Sequence, residues 1–154
     1  MRRGLKKNMT PKRIKIITHN QSDYKGYMEN AVLFYQMMKQ GELIKNPKLG
    51  LNAVHAAISM NDALTIYNMQ NRYSGDDHTG APELLESSSL EGAKEQATNL
   101  KRILAKKHAV AYEGRGFRMA EALEVLKQVE RFYNWGLSKL PGGKEMHRMV
   151  MGNE

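Results

Sequence analysis

Residues 51–64 read LNAVHAAISMNDAL, a mostly small and apolar run that carries Asn52, His55, Ser59 and Asp62 at helical spacing. On a helix turning about 100° per residue, those four side chains share an arc of about 80°. Ala56, Ala63 and Ile66 fall in or beside the same arc. Val54, Ala57, Ile58 and Leu64 hold the opposite side, which only Asn61 and Thr65 interrupt. A helix that is apolar nearly all round is packed on several sides. Its alanines permit close backbone approach, so the polar line is expected to be a buried, hydrogen-bonded seam against another helix or a second copy of the chain. The other reading is a cleft lining that includes His55 and Asp62.

Outward from this helix the pattern stays helical. Strong helix formers dominate residues 23–140, and the chain has only four prolines in 154 residues. The fold class predicted is all-α, an up-down bundle of four to five helices. The first helix runs from Ser22 or Asp23 to about Gln40, where Gly41 stops it, and the second from about Leu49 to Arg72. Residues 72–83 form a loop, and LLES after it makes a single turn. Ser88 and Glu91 then cap a third helix that reaches about Tyr112. A fourth covers about Phe117 to Lys139. The domain is therefore residues 22–140, preceded by an arm (1–21) and followed by a frayed tail (141–154). RIKIIT, residues 13–18, has strand character, but a lone strand without a partner does not persist.

Charge is unevenly placed. Residues 1–22 hold Arg2, Arg3, Lys6, Lys7, Lys12, Arg13 and Lys15 with no acidic residue, while the remaining 17 Lys and Arg nearly balance 16 Asp and Glu. The body is close to neutral and the arm is basic, a composition suited to phosphate contacts or to a solvated tail. Cysteine is absent, which removes thiol nucleophiles, disulfides and thiolate metal sites. No apolar run approaches a membrane span and no signal peptide is visible, so the expected location is cytoplasmic, with no membrane partner.

Four segments, AVHAAISMNDAL (53–64), RYSGDDHTGAPELLE (72–86), LKRILAKKHAVAYEGRGF (100–117) and MAEALEVLKQ (119–128), stand in an order that resembles the HEPN superfamily of small helical-bundle proteins. The likeness is to the branch with an Ala-rich AVHAAI..ADAL helix, and it covers about residues 24–140. It implies a bundle that commonly forms a homodimer. It also implies RNA binding or cleavage in a toxin–antitoxin, defence or RNA-regulatory setting, beside a nucleotidyltransferase partner. Catalytic members of that superfamily carry an Arg and, four to six residues later, a His, which cut RNA without metal.

Two pairs in this chain have that spacing: Arg102 with His108, and Arg72 with His78. Neither follows the rest of the pattern, since Ile103 and Tyr73 stand where a polar residue is usual. On a straight helix Arg102 and His108 also lie about 120° apart. Lys107 is the odder residue, set within the apolar stripe of Ala97, Leu100, Ile103, Leu104 and Ala111. It must snorkel outward or find a carboxylate or carbonyl partner, with Asp62 and Asp77 as candidates, and the functional alternative is a cation presented to phosphate. In the DDH of residues 76–78, an Asx-turn is favoured over a metal or proton-shuttling role. No metal or cofactor is implied, because HExxH is absent and His55 with Asp62 supplies only two ligands. The function expected is a non-cleaving, RNA-associated protein gripping phosphates with Arg2, Arg3, Lys6, Lys7, Lys12, Arg13, Lys15 and Lys107. The alternatives are a metal-independent endoribonuclease and a protein-interaction module for a nucleotidyltransferase.

Overall fold

A computed structural model of the chain describes residues 14–152. Arg2, Arg3, Lys6, Lys7, Lys12 and Arg13 lie outside that range. Among the described residues there are six helices: α1 (Tyr24–Leu43), α2 (Leu49–Met69), α3 (Ala81–Glu86), α4 (Ala93–Tyr112), α5 (Met119–Lys139) and α6 (Gly143–Met151). A short 3-10 turn, Gln21–Asp23, leads into α1, and two three-residue strands, β1 (Ile16–Thr18) and β2 (Asn71–Tyr73), pair antiparallel. The expected fold class is the one found, a predominantly helical bundle.

The core is built around α2, which packs mainly on α1 and α5. Ala53, Ala56, Ala57 and Ala63 are fully buried and let those neighbours approach. Leu49, Leu64 and Ile66 are fully buried too, each contributing about 1.5–3 kcal/mol of apolar burial. On the α5 side, Gly136 makes room for Met60, whose sulfur lies 2.5 Å from where a Cβ would stand. Tyr35 of α1 stacks on Tyr133 of α5 with ring centroids 3.8 Å apart. Lys39 and Glu130 tie the same helices together at 2.9 Å.

Several local expectations are corrected. The strand at RIKIIT does have a partner: Ile16, Ile17 and Thr18 lie opposite Tyr73, Arg72 and Asn71. The pairing exists because α2 ends at Met69, before Arg72, where Gln70 turns left-handed (φ 60°) and releases an extended segment. Gly41 does not stop α1. It lies inside the helix, where a Cβ would come 2.8 Å from that of Leu49, and the left-handed turn falls at Lys45. The Ser88–Glu91 capping box does not form at α4, which starts after Gly92 at φ 87°. Residues 143–151 are helical, with Met146, Val150 and Met151 against the core and the His147 ring 2.9 Å from the Tyr133 hydroxyl. No described helix is long and apolar enough to cross a membrane.

Candidate functional site

The polar line of α2 is not a buried seam. Asn52, His55, Ser59 and Asp62 are all half-buried, and the fully buried polar side chains of α2 are Asn61 and Thr65. Asn52 and Ser59 make no side-chain hydrogen bond to another described residue. The reason is packing: α1 and α5 take the broad apolar sides of α2, while α3 and α4 touch it only lightly and leave this face open. The line is therefore partly exposed, and its two ends meet different partners.

At the Asp62 end the partner is Arg72 on β2. Burial pushes the Asp62 carboxyl up to about 7, and the Arg72 charge opposes part of that rise. Arg72 is itself fixed by a relay that sequence reasoning missed. Its Nε–H donates to His19 Nε2 at 3.0 Å, and His19 Nδ1–H donates to Asp23 Oδ2 at 3.0 Å. The guanidinium also lies 5.7 Å from the centre of the Tyr27 ring. The Arg72–His78 pairing is not formed, because the strand register delivers Arg72 to His19 instead. The signal that could have revealed this was the β-branched RIKIIT, once matched to an extended NRY.

At the other end, three segments bring basic side chains together: His55 from α2, His78 from the 74–80 loop, and Lys107 with His108 from α4. Burial holds the His55 imidazole below its usual range, and the Lys107 charge lowers it further. Burial acts most strongly on His78 as well, followed by Lys107, with smaller contributions from His55 and His108 that Asp77 opposes. Both rings are therefore kept in the neutral form at pH 7 while a cation stands beside them. Lys107 itself has no ion pair among the described residues, so neither Asp62 nor Asp77 takes the role expected of it.

The loop that carries His78 is tightly shaped. Asp77 Oδ1 accepts from the Thr79 N–H at 3.1 Å and from its hydroxyl at 3.0 Å, which is the Asx-turn. Those bonds hold the Asp77 carboxyl below the ordinary range. His78 then takes a left-handed conformation, φ 61°, and the preceding carbonyl of Asp77 accepts from His108 Nε2 at 3.0 Å. That bond selects the Nε2–H tautomer of His108. The Tyr73 ring occupies the space that side chains at Gly75 and Gly80 would need, so the two glycines let the loop close over it. His55 is seated by stacking on Phe34, with centroids 5.1 Å apart.

Arg102 is not part of this cluster. It is exposed on α4 with no hydrogen bond or ion pair to another described residue, as the roughly 120° separation on the helix requires. A depression of about 200 Å³ between α3 and α4 does continue from His108 to Lys101, which adds a cation to the same surface. Lys15 is exposed, and its carbonyl accepts from the Ser74 N–H at 2.9 Å, at the start of the His78 loop. No group of three or more His, Asp or Glu among the described residues is arranged to hold a metal ion. What the arrangement can do is hold an anion: the Lys107 ammonium has no ion pair among the described residues, and the imidazoles of His55, His78 and His108 stand near it. In comparisons with known proteins, no family model, curated protein or solved structure matches this chain.

Proposed function

We propose that this is an RNA-associated helical-bundle protein of HEPN-like character, which grips backbone phosphate at the Lys107–His55–His78–His108 cluster. The observation that carries the reading is the meeting of Lys107, which lacks an ion pair among the described residues, with histidines from two other segments. The Lys15–Ser74 backbone bond supports it, since Lys15 is then held at the start of the loop that carries His78. Binding without cleavage is the favoured form. His55 and His78 are neutral bases beside a cation, as phosphodiester cleavage needs, yet neither ring is hydrogen-bonded to an orienting group among the described residues.

The test is fluorescence anisotropy with a short single-stranded RNA across a salt series. Lys107→Gln is expected to weaken binding several-fold and to reduce the salt slope by about one. Removing residues 1–13 should lower that slope by several units. Undiminished binding by both variants contradicts the reading. The same RNA, recovered after incubation in a chelator, is expected intact; cleavage abolished by His78→Ala would establish the ribonuclease alternative. The partners implied by the HEPN resemblance belong to this proposal too. Leu33 and Met37 of α1 and Ile44 just past its end are exposed, apolar side chains open to a second copy or to a nucleotidyltransferase.

A further inference from the structure

The start of α2, the end of α4 and the loop that follows it enclose a cleft of about 590 Å³. That is within the range of roughly 300–1,000 Å³ typical of small-molecule sites. Its walls are apolar, formed by Leu51, Val110, Ala111 and Phe117. Leu51 is 46% exposed, so a leucine stands in this cleft and not in the core. Phe117 is seated against Gly50, where a Cβ would come 2.6 Å from the ring.

Three cations also line the cleft, Lys48, Lys107 and Arg115, and they are not equivalent. Arg115 is already neutralised: it donates two bonds to Glu121, at 2.7 and 2.9 Å, and one to Glu113 at 2.7 Å. Lys48 and Lys107 have no ion pair among the described residues. Apolar walls alone would suit a neutral ligand, and lysines alone a bare phosphate. The two together favour a molecule with an apolar body and one anionic end, because each part of it would meet its own complement.

We propose that this cleft binds a small amphipathic anion, its apolar chain against Leu51 and Phe117 and its carboxylate or phosphate head on Lys48 and Lys107. The site does not depend on the RNA reading, although the two share Lys107, so an occupied cleft competes with RNA for that cation.

Isothermal titration of the full-length protein with octanoate, octyl phosphate, octanol and inorganic phosphate, in the absence of RNA, tests the proposal. At least one of the two amphipathic anions is expected to bind about tenfold or more tightly than octanol or phosphate. Lys48→Gln and Lys107→Gln should each weaken it by about tenfold, and Leu51→Asn by several-fold. The ratio between octanoate and octyl phosphate identifies the head group. All three substituted residues are exposed or half-buried, and circular dichroism verifies that the variants fold. The proposal is overturned if neither amphipathic anion exceeds octanol and phosphate, or if the lysine variants bind like the parent. Lys48 and Leu51 belong to the cleft and not to the histidine cluster, so their variants test this proposal separately from the RNA reading.

Discussion

At Asp62, burial pushes the carboxyl up to about 7 while the Arg72 guanidinium offsets part of the shift. An unfolded Asp titrates near 4, so between roughly pH 4 and 7 the native state holds a proton that the unfolded chain has lost. Stability from this group is greatest at low pH and is lost as pH rises through the native value. Asp62→Asn should therefore stabilise the fold, and its gain at pH 8 should exceed that at pH 5 by about 2–3 kcal/mol. Urea denaturation of both proteins at the two pH values measures this; equal gains would mean that Asp62 is ionised and well solvated. The wheel placed Asn52, His55, Ser59 and Asp62 on one face of α2, and the structure keeps them there. What it could not convey was how lightly α4 would cover that face, since coverage depends on helix crossing and not on the periodicity of α2 itself.

At the level of elements, close approaches explain which glycines matter. Gly50 sits at the start of α2 under the Phe117 ring, and Gly41 sits under Leu49. Gly50→Ala would drive a methyl group into Phe117, with an expected cost of about 1–3 kcal/mol by overpacking. The thermal midpoint should fall accordingly, and the cleft beside Leu51 should lose its aromatic wall; an unchanged midpoint would show that Phe117 moves freely. The long helices were legible because their apolar residues recur every three or four positions. Gly41 was misread as a stop, because a glycine needed for helix contact looks the same in sequence as one needed for a turn. The β1–β2 pair was missed because strand pairing is non-local: RIKIIT and NRY are more than fifty residues apart. That pairing in turn hid the Arg72–His19–Asp23 relay.

For the whole molecule, the decisive feature is where charge is placed and not how much there is. The body is nearly neutral by count, yet Lys107 and three histidines meet at one surface, with Lys101 further along the α3–α4 depression from His108 and Lys15 bonded at the start of the His78 loop. No single segment reveals such a surface, because His55, His78 and His108 lie on α2, a loop and α4. If phosphate is held there, its negative charge must oppose the Lys107 field that adds to burial in keeping His55 and His78 neutral, and both imidazoles must gain affinity for protons. The direct measurement is an NMR pH titration of the histidine side chains, alone and with a saturating short single-stranded RNA. The account predicts that His55 and His78 titrate below the ordinary imidazole value in the free protein and that both rise when RNA is bound. RNA that binds while leaving both titrations unmoved would contradict it.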